Sequence, residues 1–89
     1  MPLSPTTSSP PSIAAEVKRC CEGDPGATEA LARHATRLAL RTGAALLESR
    51  EEAGDVAQDV AIDVLRSLHG LRDPEAFDGW VHRITVRHA

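Results

Sequence analysis

The chain has 89 residues, a length that supports at most one small domain. Apolar residues make up 42% of it, which is enough for a core, but Phe77 and Trp80 are its only Phe, Tyr or Trp residues. We therefore expect a core of Leu, Val, Ile and Ala with a stability of only a few kcal/mol. The 10 basic and 13 acidic residues give a net charge of −3, which argues against nucleic-acid binding through bulk charge alone.

The cysteine and histidine spacings favour neither a disulfide framework nor a metal site. Cys20 and Cys21 are adjacent, and no CxxC, HxxxH or mixed Cys/His ligand spacing occurs. We therefore predict no metal and no cofactor. No run approaches 18 apolar residues, and the N-terminus has neither basic residues nor an apolar stretch. We expect no membrane insertion, no signal peptide and a reduced, cytoplasmic setting.

The N-terminal segment differs in composition from the rest of the chain. Residues 1–11 carry four prolines with several Ser and Thr, and this composition predicts a disordered leader. The folded domain is expected over residues 12–89. Ser12 has the side chain of an N-cap, and Gly23 stands where a glycine cap would end the helix that follows.

Asp24-Pro25 has the pattern of a second helix start, with a capping side chain followed by a proline that needs no N–H partner. This helix is predicted to run to about Glu48, and Gly43 should weaken it locally by about 1 kcal/mol relative to Ala. Its predicted apolar face consists of Leu31, Ala35, Leu38, Ala45 and Leu46.

Two further helices follow. Residues 49–52 have the spacing of a capping box, and a third helix is predicted from there to about His69, with Gly70 ending it. Residues 73–75 repeat the cap-then-proline pattern and begin a fourth helix. Trp80 could serve as an exposed wedge, but the helical spacing indicates a core stripe of Phe77, Trp80, Val81 and Ile84. No segment alternates with period two, so the predicted fold is an all-α bundle of about four helices.

The third helix has an unusual polar face. Its apolar arc consists of Val56, Ala57, Val60, Ala61, Val64, Leu65 and Leu68. Ile62 lies roughly 150° from the centre of that arc, among the acidic and polar residues. An apolar anchor ringed by polar groups is typical of a protein interface, although a stray surface isoleucine is also common. Both interpretations remain open on the pattern alone.

The stretch from Gly54 to Ile62 resembles the second conserved region of bacterial RNA polymerase sigma factors of the extracytoplasmic-function type. In that family a similar run forms the helix that docks on the clamp helices of the beta-prime subunit. Upstream, parts of residues 23–38 resemble the family's first two helices. Downstream, residues 71–77 and 80–84 resemble its promoter-melting segment. The resemblance covers nearly everything after the leader, and the three motifs in this order are fairly specific.

The sequence also departs from the family's pattern. Gly54 stands where an acid is usual, Asp63 where a basic residue is common, and Thr28 where an aromatic residue is usual. Val86-Arg87 stands where the family tends to have Arg-Asn. The family's second domain, which reads the promoter −35 element, is absent, and the last helix reaches Ala89 without a stop signal. We therefore expect a domain cut from a longer chain.

The resemblance implies a surface for core RNA polymerase on the acidic face of the third helix. Asp55 and Asp59 would meet arginines of the beta-prime subunit. Gln58 would add a hydrogen bond, and Ile62 would be the desolvated anchor. The alternative for the acids is a solvated helix face, where Asp55 is also favourable near the helix N-terminus.

The resemblance implies a second surface for promoter DNA, which holds the non-template strand of the −10 element. It consists of the loop from His69 to Pro74 and the outer side of the fourth helix. The candidate residues are His69, Arg72, His82, Arg83, Val86 and Arg87. Arg83 and Arg87 would position phosphates and the loop would choose the base. The alternative is that these arginines merely solvate the helix.

A basic stripe on the second helix has no assigned role. Arg33, Arg37 and Arg41 are spaced one turn apart. They are candidates for contact with phosphate or with an anti-sigma factor, the usual inhibitor in the family. A plain solvated stripe, with Glu29 pairing Arg33, is the alternative.

Other functional classes fit less well. No nucleophile–base pair and no phosphate-binding glycine loop occurs, so we do not expect an enzyme. A helix-turn-helix reader of duplex DNA needs polar, base-reading residues at the start of its recognition helix, whereas the fourth helix begins with Pro74, Glu75, Ala76 and Phe77. The remaining alternative is a helical protein–protein module without DNA binding.

Overall fold

The computed structural model describes residues 12–89 and shows four α-helices. They are α1 (Ile13–Cys21), α2 (Pro25–Leu46), α3 (Arg50–Ser67) and α4 (Phe77–His88). Short 3₁₀ turns cover Leu68–Gly70 and Pro74–Ala76 between α3 and α4. No strand occurs within the described range, so the predicted all-α bundle of four helices is confirmed. The disordered leader predicted for residues 1–11 lies outside that range.

The first helix begins and ends at the predicted signals. The Ser12 Oγ accepts a hydrogen bond from the Ala15 N–H at 3.1 Å. Gly23 has φ of +94°, a left-handed conformation that glycine adopts without strain. This conformation turns the Gly23 N–H to the Cys20 carbonyl and the Asp24 N–H to the Arg19 carbonyl, both at 3.0 Å. These two bonds are the pair that defines a Schellman C-cap.

The starts of α2 and α3 also follow the sequence. The Asp24 carboxylate accepts a hydrogen bond from the Gly26 N–H at 2.9 Å, and Pro25 takes the first helical position. The Ser49 Oγ accepts from the Glu52 N–H at 3.2 Å. Each side chain satisfies a backbone donor that has no partner inside the helix.

Several helix boundaries differ from the predictions by two or three residues. The second helix stops at Leu46 because Leu47 adopts an extended conformation, with φ of −115° and ψ of 151°. That extended residue leads directly to the Ser49 cap of α3. At the other connection, Asp73 caps the 3₁₀ turn at Pro74–Ala76, and α4 itself begins at Phe77.

One hydrophobic core joins all four helices. Phe77, the only phenylalanine of the chain, is almost fully buried in it. The main buried cluster consists of Val17, Leu31, Ala35, Ala39, Ala57, Val60, Val64, Leu68, Phe77, Val81 and Ile84. Thr85 is also buried, and its hydroxyl donates to the Val81 carbonyl at 2.8 Å, so that burial leaves no unsatisfied polar group.

The last turns of α2 bury a different set of residues from the predicted one. Ala45 and Leu46 were expected on the apolar face, but both are exposed. The buried stripe continues instead through Ala39 and Gly43. A Cβ added at Gly43 would lie 3.3 Å from the Cβ of Ala53, so the missing side chain lets α3 approach closely. The prediction for Ala45 and Leu46 was wrong because this close crossing selects the smallest residues.

Histidines link α4 to its neighbours. The His34 Nε2 of α2 lies 2.8 Å from the Asp78 Oδ1 at the start of α4, and the His88 Nε2 lies 3.1 Å from the Asp63 Oδ2 of α3. The hydrogen bond from His88 lowers the pKa of Asp63 below its ordinary value. The His34–Asp78 pair holds the first turn of α4 against α2, and the His88–Asp63 pair holds its last turn against α3.

None of the helices in residues 12–89 is long and apolar enough to cross a membrane.

Candidate functional site

The outer side of α3 carries all four residues predicted for polymerase binding. Asp55, Gln58 and Asp59 are exposed, and the Ile62 side chain is 49% exposed in spite of its apolar character. Ser49 caps the helix, and the opposite side of α3 is anchored by Ala57, Val60 and Val64 in the core. Because that buried side fixes the rotation of α3, the acids and Ile62 face solvent as one surface, which we call the α3 outer face.

Ile62 forms a ridge between two depressions. The first lies toward α2 and is lined by Thr36, Leu40, Gly54, Ala57, Gln58, Ala61 and Ile62. The second lies toward the end of α4 and is lined by Asp59, Ile62, Asp63, Arg66 and His88. A partner surface that covers this apolar ridge can displace water from it, while basic groups at the edge of the partner surface pair with the carboxylates.

The outer side of α4 carries most of the residues predicted for DNA binding. Core packing buries Phe77, Val81, Ile84 and Thr85. The positions between them, which carry His82, Arg83, Val86 and Arg87, face solvent. A shallow depression there is lined by Trp80, His82, Arg83, Ile84, Val86 and Arg87. We call this surface the α4 outer face. It combines two guanidinium groups with an indole and an exposed valine, groups that can contact phosphates, bases and sugars.

Trp80 takes part in both the core and the α4 outer face. Its ring centroid lies 6.0 Å from that of Phe77, at an interplanar angle of 54°, and the side chain packs against the core. It is only partly buried, however, and lines the outer depression as well. The prediction that Trp80 packs in the core is therefore correct, but it did not anticipate that part of the side chain is exposed.

Two predicted DNA-binding residues lie apart from that depression. His69 and Arg72 are exposed in the connection between α3 and α4 and do not line it. His69 belongs to the 3₁₀ turn at Leu68–Gly70. The structure thus brings together four of the six predicted residues on one face and leaves these two on the neighbouring loop.

The two surfaces meet at the C-terminal end of α4. His88 contacts Asp63, and both line the second depression beside Ile62. The nearby Arg87 also helps to lower the pKa of Asp63. A negative region on α3 therefore adjoins a positive region on α4, so a protein partner and an anionic ligand can bind side by side.

Sequence reasoning missed one part of the surface. Leu40 is 40% exposed and lines the depression beside Ile62. Like Ile62, Leu40 is a large apolar residue that lies opposite the buried stripe of its own helix, next to the arginine stripe. The sequence pattern therefore indicated that Leu40 is exposed. Its position across from Ile62, however, depends on how α2 and α3 pack.

Comparison with known proteins supports the family resemblance. A family model described as Sigma-70 region 2 matches residues 28–89, more than two thirds of the chain. Searches of the curated proteins and of the solved structures found no match. The matched range begins in α2 and includes both outer faces.

Proposed function

Because the chain belongs to the sigma-70 family through its region 2 domain, we propose that its α3 outer face docks on the beta-prime clamp helices of core RNA polymerase and its α4 outer face holds the promoter −10 element. A region 2 domain is part of a transcription initiation factor that binds RNA polymerase and takes part in −10 recognition, and it is not an enzyme. We further propose that the domain is of the extracytoplasmic-function type and acts with polymerase in the cytoplasm.

The exposure of Ile62 is the observation that carries the polymerase contact. A half-exposed isoleucine on an acidic helix face loses contact with water only when a partner covers it. Asp55 and Asp59 flank it and form no ion pair within residues 12–89, so their carboxylates are available to arginines of the partner. Burial of the apolar side chain supplies affinity, while the acids orient the partner and exclude acidic surfaces.

The α4 outer face is the proposed site for the non-template strand. Arg83 and Arg87 would position phosphates, and His82 and Val86 would contact bases or sugars. The loop with His69 and Arg72 would hold an extruded base, and hydrogen bonds and stacking there would offset an unstacking cost of a few kcal/mol. An anti-sigma factor that covers either face would block the domain.

A binding titration with core polymerase tests the proposal. We expect Asp59→Arg and Ile62→Ala each to weaken binding by about 1–3 kcal/mol, through charge reversal and loss of the buried anchor respectively. Lys18→Glu is the control, because Lys18 is exposed on α1, away from both faces. If both α3 variants bind as tightly as the wild type, the polymerase contact lies elsewhere.

A further inference from the structure

The connection between α2 and α3 carries a depression to which the proposed function assigns no partner. It lies where α2 ends at Leu46 and Ser49 caps α3. Seven residues line it, which are Leu40, Ala44, Leu47, Glu48, Ser49, Arg50 and Ala53. Four of the seven are apolar, and the two charged ones are a glutamate and an arginine. We call this surface the end patch.

The apolar part of the end patch follows one side of α2. Ala44 comes one turn after Leu40 and lies within about 40° of it around the helix, and both residues are exposed. Ala53 forms the floor, where it is buried against Gly43 at the close crossing of α2 and α3. Because Ala44 and Ala53 have small side chains, a helix of a partner can approach this side of α2 closely.

The two charged residues of the end patch have opposite sign. Glu48 and Arg50 are both exposed, on either side of the Ser49 cap, and neither forms an ion pair within residues 12–89. A partner for the patch therefore needs an apolar surface with one basic and one acidic group in the inverted order. The chain itself offers that surface, because a two-fold axis places Glu48 of each copy opposite Arg50 of the other.

The arginine stripe on α2 determines how two copies can be oriented. Arg33 pairs with Glu29, whereas Arg37 is exposed and forms no ion pair within the described part of the chain. Two α2 helices that lie parallel would bring the stripes of both copies together, and the like charges would repel each other. Two antiparallel helices that meet at the end patch carry the stripes away in opposite directions.

We propose that the end patch binds a second copy of this chain, in a two-fold dimer whose α2 helices lie antiparallel and in which each Glu48 pairs with Arg50 of the other copy. Leu40 and Leu47 of both copies form the apolar centre, from which water is displaced. The dimer needs neither polymerase nor DNA, so the inference is independent of the proposed function. Because only seven residues of each copy line the patch, we expect a reversible dimer rather than a permanent one.

Sedimentation velocity of the 89-residue chain tests the dimer. We expect the wild type to change from monomer to dimer as its concentration rises toward about 1 mM, the range of weak specific contacts. Leu40→Asp should weaken dimerisation at least about tenfold, because it places a carboxylate in the apolar centre. Leu46→Asp is the matched control, since Leu46 is 54% exposed and lies about 120° from Leu40 on the same helix. Its dimerisation should stay within about twofold of the wild type.

Exchange of the two charges tests the pairing. Glu48→Arg and Arg50→Glu should each weaken dimerisation at least about tenfold, because each change places like charges opposite one another twice. An equimolar mixture of these two variants should dimerise again, since the basic groups of one then face the acidic groups of the other. The double variant with both changes should dimerise like the wild type, because it only inverts the order of the pair. Circular dichroism of each variant verifies the fold.

Several results would overturn the inference. A wild type that stays monomeric up to about 1 mM forms no such dimer. A dimer that Leu40→Asp leaves intact, or that Leu46→Asp weakens equally, lies on another surface. Single charge variants that dimerise like the wild type, or a mixture of them that stays monomeric, would show that Glu48 and Arg50 do not pair across a two-fold axis. None of these results bears on polymerase binding, which the Asp59→Arg titration measures separately.

Discussion

Substitution of Arg83 or Arg87 should weaken DNA binding most and disturb the fold least. Both are exposed on α4 and form no ion pair within residues 12–89. We expect each Arg→Ala change to weaken binding of a single-stranded −10-like oligonucleotide to the polymerase-bound domain. Each should also reduce the slope of log affinity against log salt by about 1, because one phosphate contact is lost.

Fluorescence anisotropy at several salt concentrations measures both effects. Lys18→Ala is a suitable control, since Lys18 is exposed on α1, outside both outer faces. Unchanged affinity and slope for both α4 variants would favour the alternative of a protein–protein module that does not bind DNA.

At the scale of single residues, the spacing of apolar side chains along a helix correctly predicted which residues are exposed, as long as the residue's own helix determines its exposure. Ile62 is exposed as its angle from the apolar arc indicates, and Phe77, Val81 and Ile84 are buried. Thr85 was not predicted in the core, because its burial depends on a hydroxyl bond to its own helix. A polar side chain that hydrogen-bonds to the backbone of its own helix can be buried, and a prediction based on hydrophobicity alone does not identify it.

At the scale of secondary structure elements, the glycine cap of α1 makes a direct prediction. Gly23 has φ of +94°, where a Cβ is strained although it meets no atom within 4 Å. Gly23→Ala should therefore lower the free energy of unfolding by about 1 kcal/mol. Chemical denaturation measures the change. Gly79→Ala, on α4, should instead raise the free energy of unfolding. A Gly23→Ala variant that is as stable as the wild type would contradict the assigned cap.

The contact between α3 and α4 predicts a response to acid. The His88 hydrogen bond lowers the pKa of Asp63 below its ordinary value of 3.8. The unfolded chain therefore binds this proton more readily than the folded one, so stability is greater above pH 3.8 and declines as pH falls through the lowered folded pKa. We expect Asp63→Asn to reduce this decline.

Thermal unfolding from pH 6 down to about pH 2.5 measures the decline for both proteins. Asp59→Asn is the control, because Asp59 is exposed on the same helix and has no such contact. Parallel curves for wild type and Asp63→Asn would show that the contact does not stabilise the fold.

The starts of α1, α2 and α3 were predictable because each depends on a local signal, whereas α4 begins at Phe77, after the 3₁₀ turn that Asp73 caps. Ser12, Asp24 and Ser49 all make the expected cap bonds. Helix ends and the crossing of α2 with α3 were less predictable, since Leu47 and Gly43 take their roles from the neighbouring helix. Local sequence specifies a cap, whereas a close helix crossing is specified by residues distant in the chain.

At the scale of the whole molecule, the bundle places the α3 outer face, which we propose for polymerase, beside the α4 outer face, which we propose for DNA. The core fixes the rotations of α3 and α4, and the His88–Asp63 contact joins the two helices where the faces meet. The resemblance in the sequence predicted both faces as separate helix surfaces. The position of Leu40 across from Ile62 could not be predicted, because it depends on how α2 and α3 pack together.

The most direct test of this account is photocrosslinking from the two faces within one promoter complex. A photoreactive residue is placed by Ile62→benzoylphenylalanine or by Val86→benzoylphenylalanine, and Lys18→benzoylphenylalanine serves as the control. We expect position 62 to crosslink to the beta-prime subunit, position 86 to crosslink to the non-template DNA strand, and position 18 to crosslink to neither. Crosslinks from position 62 to DNA, or none above the position 18 background, would contradict the account.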